Sequence, residues 1–523
     1  MSFMRSLKPS AVLFLFFFFW GAASCLAAEK AQQEKPAVPD KEEFIKTAKQ
    51  KRTLTLSIYD CIVLALKNNS EIKIAGVNPK IRADDVRIAW AEFEPTLNLD
   101  YMLTDTTEQA ASTLLGAGVS SSRELNADLN ISGKLITGTE YSLDFLNSRD
   151  SSNSSFQTMN PSYTAEPKVT ITQPLLRGFG IAVNKADISI ASNNEQVSEQ
   201  NLKNTAMDII AKTKTAYYNY FYYREAYNIA DNFVQMALDL LKINKLRYEK
   251  GLVSSVDLLE TETAVLTRRR SLILAETELR RAEDELKFIT NIVDDPRMWN
   301  AAIALTDEPL FDNQEADLVD SLVAAFKNRP DYDAKKIELK NKDIRIKVTK
   351  NALYPTVDLI GSFGLNGLGT DYSDSLSNIS SDYKDWSVGV SLSLPWGGGE
   401  RADYNKSILE KAQGLMELKR LEQSIILDVR DKVRGVDLAI QQVEASQLAK
   451  ESQWKNYEAQ RERYAAGQIS THDMLDYQDK YARADLDYIK SLIDYNIALI
   501  DLDRSEGLTL TNNNVKLEGA QGA

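Results

Sequence analysis

Three observations predict a mainly α fold carrying membrane β-strands, built as a tandem repeat, for this 523-residue chain. The segment Arg247-Tyr248-x-x-Gly251-x-x-Ser254-x-x-Asp257-x-Leu259 returns as Arg463-Tyr464-x-x-Gly467-x-x-Ser470-x-x-Asp473-x-Leu475. An earlier pair keeps the same order: Ala65-x-Lys67-Asn68 with Pro95-Thr96-x-x-Leu99, then Ala325-x-Lys327-Asn328 with Pro355-Thr356-x-x-Leu359. The other two observations are a long stretch free of Gly and Pro between Gly180 and Gly251, and apolar/polar alternation after Pro95 and Pro355. A period of roughly 220 to 260 residues far exceeds a solenoid unit, so the two copies are read as one pseudo-symmetric assembly.

The N-terminus reads as an export signal over residues 1–28. Arg5 and Lys8 precede an apolar run from Ala11 to Ala23 that is too short for a stable span and is followed by small residues. Two processing modes fit: cleavage near Cys25-Leu26-Ala27-Ala28, or lipidation at Cys25, where Ala22 stands in place of the Leu usual three residues earlier. Residues 29–52 are polar, carry Pro36 and Pro39, and read as a flexible leader. No other run suits a transmembrane helix, so strands must provide any membrane residence.

The first repeat is expected over 53–292, with a helix, strands within 96–173 and a long helical hairpin over 181–292. In the hairpin's first arm, apolar or small residues recur at Leu202, Ile209, Ala216, Tyr223, Ala230, Ala237 and at Ala206, Tyr220, Tyr227, Val234, Leu241, Tyr248, with Thr213 polar in the second series. This heptad pattern describes a helix on the order of 100 Å long. An inter-repeat segment follows over 293–315. The second repeat, 316–507, repeats the plan with strands over 356–394 and a hairpin over 398–506, ahead of a tail at 508–523. Strand signals are the alternations Leu97, Leu99, Tyr101, Leu103 and Trp386, Val388, Val390, Leu392. The interval Pro95–Pro174 is about twice Pro355–Pro395 and alternates again at Leu125, Ala127, Leu129, Ile131 and at Tyr141, Leu143, Phe145. An extra hairpin is therefore expected, its position open. A few strands cannot close a barrel, and open edges in lipid leave backbone groups unpaired, so other chains must complete the wall.

A formal net charge of −13 argues against nucleic-acid binding, which needs a basic footprint. One His and two Cys leave little for metal or nucleophile chemistry, and neither an enzyme nor a cofactor is expected. Gly178-Phe179-Gly180 and Gly397-Gly398-Gly399 lack the third Gly and the βαβ setting of a dinucleotide fingerprint and read as strand-to-helix turns. The cluster from Tyr217 to Tyr223 reads as a packing face, Cys61 as a partnerless helix-face residue, and His472, beside Asp473, as a solvated side chain ahead of the alternative of a pH sensor near the tip. Asp473 and Asp476, like Asp257 and Glu260, lie three apart on one helix face. Such carboxylates either cap a helix start or, in an oligomer, form an acidic ring.

The succession of signal, helix, Pro-Thr strand start, hairpin, Gln173-Pro174-Leu175-Leu176-Arg177-Gly178-Phe179-Gly180 turn, long helix, Arg-Tyr-x-x-Gly tip and return helix, then the same again, resembles the TolC-like outer-membrane efflux protein family (outer membrane factors) over roughly residues 50 to 510. The resemblance implies a homotrimer in the outer membrane of a Gram-negative bacterium. Its strands would form one shared 12-stranded β-barrel among outer-membrane lipid, and its hairpins a periplasmic α-barrel. It implies a periplasmic adaptor protein and an inner-membrane transporter of RND or ABC type as partners, and the role of exit duct in tripartite efflux or type I secretion. It places Asp473 and Asp476 at an acidic periplasmic constriction with Asp257 and Glu260 as their repeat counterparts, has Asp257 and Tyr464 help hold the tip shut, and gives the tip turns Gly251, Gly467, Ser254 and Ser470 to adaptor contact. Ile469 stands where the family pattern has a basic residue, which leaves Arg247 and Arg463 as candidates for the closing contact. Two other classes share part of the pattern. A coiled-coil surface protein does not require strands in both repeats, and a stand-alone diffusion porin does not require such helices.

Overall fold

The structure is a computed structural model that describes residues 53–109, 118–155, 157–292, 298, 301–394 and 396–516. The export signal with Cys25, the leader 29–52 and residues 517–523 of the tail lie outside the described residues. Two units divide the chain. One holds a two-stranded sheet of β1 (Thr53–Leu56) and β6 (Ala302–Leu305).

The other unit opens with α1 (Ile58–Asn68) and α2 (Ser70–Trp90), whose counterparts in the second repeat are α5 (Leu318–Asn328) and α6 (Pro330–Asn351). Side-chain caps start three of these four: Ser57 with Asp60 as a capping box, Asn69, and Asp317; Pro330 sits at the start of the fourth, where its missing N–H costs nothing. The apolar stripe of α1 buries Cys61, Ile62 and Ala65. Burial, helped by the charges of Asp60 and Asp307, pushes the Cys61 thiol up to about 12 and keeps it protonated.

Four helices form the two hairpins: α3 (Ala186–Glu249, 64 residues) with α4 (Ser255–Ile289), and α8 (Gly399–Ala465, 67 residues) with α9 (Thr471–Glu506). At 1.5 Å per residue α3 and α8 are each on the order of 100 Å long. Most of the heptad series points inward, with Tyr248 at its end exposed: Ala206, Ile209, Ala216, Tyr220, Val234 and Ala237 are buried, and buried Thr213 satisfies its hydroxyl by donating to the Ile209 carbonyl at 2.7 Å. Tyr217, Tyr220 and Phe221 are buried as a packing face, where the Tyr217 hydroxyl accepts from the Asp307 N–H at 3.0 Å. In the second repeat Ala325, Ile425, Val429, Val436, Val443 and Tyr495 form the core. Gly507 ends α9 in the left-handed region (φ 76°), and a Cβ there would sit 2.8 Å from the Asn328 backbone.

The strands form one antiparallel sheet in the order β2 (Thr96–Gln109), β3 (Val119–Lys134), β4 (Glu140–Ser152), β5 (Ser162–Pro174), β7 (Thr356–Leu365), β9 (Lys384–Ser393). A short β8 (Gly367–Gly369) continues the pairing of β5 beyond β7. Pro167, which has no N–H to donate, falls at that seam, between the last β7 partner at Lys168 and the first β8 partner at Ala165. The Ser- and Asp-rich stretch before β9 contains a single helical turn and a half, α7 (Tyr372–Ser377), capped by Asp371. A 12-stranded barrel shared by three chains takes four strands from each; this chain lays six along one path. The extra hairpin is in the sheet, because β3 finds register on both sides, with β2 and with β4.

Candidate functional site at the hairpin tips

The doubled motif is a helix stop joined to a helix start. At the first tip the Gly251 N–H donates to the Tyr248 carbonyl (2.9 Å) and the Leu252 N–H to the Arg247 carbonyl (2.9 Å); at the second, Gly467 donates to Tyr464 (3.0 Å) and Gln468 to Arg463 (2.9 Å). These are the paired bonds of a Schellman end, and they require the positive φ that Gly251 (71°) and Gly467 (72°) supply. Three residues later Ser254 and Ser470 open the return helices as capping boxes. Asp257 Oδ2 accepts from the Ser254 N–H (3.0 Å) and hydroxyl (2.6 Å), and Asp473 Oδ2 from the Ser470 N–H (3.2 Å) and hydroxyl (2.7 Å). The serine hydroxyls, then the serine N–H groups, hold both carboxyls below their usual range. Capping is thus what these two aspartates do within one chain.

The remaining acidic residues have partners of their own. Asp476 pairs with Lys480 one turn on (2.7 Å), both half-exposed. Glu260 Oε1 lies 2.7 Å from His472 Nδ1, which joins α4 to α9. Because of that hydrogen bond, and then the Glu260, Asp473 and Asp476 charges, the imidazole is held above its ordinary value.

Beneath the turns the two hairpins interlock. Asn244, Thr261, Tyr464 and Thr471 are each at most 5% exposed and come from all four long helices. The Tyr464 hydroxyl donates to Asn244 Oδ1, while Asn244 Nδ2 donates to Thr261 Oγ1 (2.8 Å) and Thr471 Oγ1 (3.3 Å). Arg247 reaches across to the other hairpin: its Nη2 donates to the Tyr464 (3.0 Å) and Ala465 (3.1 Å) carbonyls, and its guanidinium sits 4.6 Å from the Tyr464 ring centre. A cation from one helix thereby satisfies the last carbonyls of another, at its negative dipole end. Arg463 makes no such crossing among the described contacts; its Nη1 donates to Gln460 on its own helix (3.2 Å). Farther up, buried Arg268 of α4 donates to the Phe233 carbonyl (3.3 Å), Gln478 Oε1 (2.7 Å) and Asp479 Oδ1 (2.9 Å).

Sequence reasoning did not single out Asn244, Thr261, Thr471 or Arg268. A signal for Asn244 was present: it stands seven residues after Ala237, where the first heptad series calls for an apolar or small residue. An amide at that position marks a buried polar contact.

The chain matches the family described as "Outer membrane efflux protein" over residues 61–291 and 322–508. Its fold is similar to that of the Campylobacter jejuni CmeC outer membrane channel (TM-score 0.65, 17% identity, 86% of each chain covered). It is also similar to the Neisseria gonorrhoeae MtrE outer membrane channel in its open state (0.61, 18%, 86% and 89%) and to the Vibrio cholerae outer membrane protein VceC (0.63, 13%, 86% and 96%). At such identities the likeness speaks for the fold. Among curated proteins, "Toxin and drug export protein A" of Aggregatibacter actinomycetemcomitans is 23% identical over 169 residues, which is 32% of this chain and 36% of that protein.

Proposed function

The chain belongs to the outer membrane efflux protein family, and on that premise we propose that it is the exit duct of a tripartite efflux or type I secretion assembly. Three copies share one outer-membrane barrel, and their hairpins extend into the periplasm toward an adaptor and an energised inner-membrane transporter. The observation that carries this reading is the union, in one unit, of a sheet with one apolar face and helices on the order of 100 Å long. A diffusion porin has no use for the helices.

In this reading the tips are the gate. Asp473 and Asp476, with Asp257 and Glu260 beside them, become rings of carboxylates in the trimer. Arg247 and Tyr464 hold neighbouring hairpins together, and the turns at Gly251, Ser254, Gly467 and Ser470 face the adaptor. The test is the full chain purified in detergent and inserted in planar bilayers. A trimeric, cation-preferring channel is expected, with the preference reduced in Asp473→Ala/Asp476→Ala and kept in Glu276→Ala, whose side chain pairs with Arg280 along the return helix. A monodisperse monomer would overturn the duct, and unchanged selectivity in the double variant would overturn the acidic gate and leave capping as the whole role of Asp473.

A further inference from the structure

We infer that this chain supplies six strands to its outer-membrane wall and that three copies close an 18-stranded barrel by pairing β2 of one copy with β9 of the next. The inference rests on the trimer proposed above. Its first support is the register. Leu97, Ile131, Leu143, Val169, Phe363 and Trp386 are successive direct partners across all six strands. The adjacent row on the opposite face is Asn98, Asn130, Asp144, Lys168, Gly364 and Asp385. One row is apolar throughout and the other has no apolar side chain. A hairpin folded aside as a surface flap would have no reason to continue both rows in phase; a hairpin within the lipid-facing wall must.

The second support is the character of the two edges. Among the described residues β2 pairs with β3 alone and β9 with β7 alone. Soluble proteins protect such edges with Lys, Pro, bulges or short length. Here β2 runs for 14 residues without Lys, Pro or Gly, and β9 carries one Lys, at its first position. Both present large apolar side chains in the open: Leu97, Leu99, Tyr101 and Leu103 on β2, and Trp386, Val388, Val390 and Leu392 on β9, are each at least 57% exposed. Inside a bilayer the unpaired N–H and C=O groups of these edges have no water to bond, so each edge must find a strand.

Direction supplies the third. The path holds an even number of strands, each antiparallel to the last, so β2 leaves the helical end and β9 returns to it. Joining β9 to the β2 of another copy is therefore antiparallel, as every other pair in the wall is, and a second copy of this chain fits the edge where a parallel partner would not. Because barrel diameter grows roughly linearly with strand number, 18 strands give a pore about 1.5 times as wide as 12. The membrane segment then ceases to limit the size of what passes, and selection falls to the hairpin tips.

Strand pairing at the joint is read by cross-linking the full-length protein in outer membranes. Tyr101→Cys on β2 is combined in turn with Trp386→Cys, Val388→Cys and Val390→Cys on β9, and a parallel series replaces Tyr101→Cys with Phe145→Cys on β4. Oxidation is expected to shift the Tyr101 series from monomer to covalent trimer on denaturing gels at one or two neighbouring β9 positions, and to leave the Phe145 series monomeric, because Phe145 is enclosed between Leu129 and Pro167 of its own sheet. Cross-linking from Phe145 instead means that β4 is the edge and the wall has four strands per chain. A trimer by mass that cross-links in neither series, or that shows 12 strands by electron cryomicroscopy, overturns the inference as well and leaves the duct reading standing. A monomer by mass removes the trimer itself.

Discussion

The two hairpin tips carry the same motif and put it to different use. In both, Arg-Tyr-x-x-Gly ends a helix and Ser-x-x-Asp starts the next, with matching hydrogen bonds within a few tenths of an ångström. Beyond the backbone they diverge. Tyr464 is 5% exposed and bound to Asn244, whereas its counterpart Tyr248 is 46% exposed. Arg247 crosses to the other hairpin and Arg463 stays on its own helix. The partner residues explain the divergence: Asn244 corresponds to Gln460, whose amide stays on its own helix with Asn456 (3.4 Å) and Arg463 (3.2 Å), and buried Thr471 corresponds to exposed Ser255, so the buried cluster that receives Tyr464 is not rebuilt around Tyr248. Duplication preserved the local caps, while one set of crossing contacts developed on top of them.

The largest break in this comparison is expected from the tyrosines. Tyr464→Ala opens a buried cavity and strips Asn244 of a donor, and should lower the opening free energy of the tip, read by hydrogen exchange, by about 3 kcal/mol. Tyr248→Ala should change it by less than about 0.5 kcal/mol. Equal values would mean that the tips are equivalent after all.

Next come the arginines. Arg247→Ala uncaps two carbonyls of α8 and should cost about 1–2 kcal/mol at the second tip, with a rise in single-channel conductance as the hairpins loosen. Arg463→Ala should leave both readouts near wild type. A conductance rise from Arg463→Ala alone would reverse the assignment of the crossing residue.

The serines sharpen the comparison from the other side, since the caps are the part that the repeats share. Ser254→Ala should destabilise the first turn of α4 by about 1 kcal/mol, and Ser470→Ala should have an effect of the same size on α9. Both caps depend on carboxyls with depressed pKa. Their contribution is complete above the ordinary carboxylate range and is lost as pH falls through the lowered values. Different responses of the two tips to acid below that range would show that the caps are not equivalent.

The smallest effect belongs to His472, for which the first tip has Val256. Its pKa is raised by Glu260, so the link between α4 and α9 contributes fully below the ordinary histidine value and fades as pH rises through the higher folded one. Exchange of the amides around Glu260 should therefore quicken modestly on the alkaline side, and His472→Gln should flatten the profile. A profile unchanged by that substitution would assign the pH dependence elsewhere.

Much of this was legible in the chain. Heptad spacing through α3 and alternation in β2, β3, β4 and β9 are patterns in neighbouring residues, and they are enough to give helical hairpins joined to membrane strands. The reading of Asp257 and Asp473 as cap or gate could not be divided that way, because both roles use the same spacing. His472 was read as solvated; its side chain is 77% exposed, yet Glu260 lies 212 residues away in sequence and 2.7 Å away in space.

What the sequence by itself determined is everything governed by local hydrogen bonds and periodicity: where helices stop at Gly251 and Gly467, where they restart at Ser254 and Ser470, and which face of each strand is apolar. Those bonds close within five residues, so the information for them is contiguous. Only the tertiary structure decided that β3 pairs on both sides to make a six-strand path, that Arg247 rather than Arg463 caps the opposite helix, and that Asn244 sits at the centre of four helices. Each of these is a choice among distant partners, settled by which backbone groups and buried polar atoms would otherwise go unbonded.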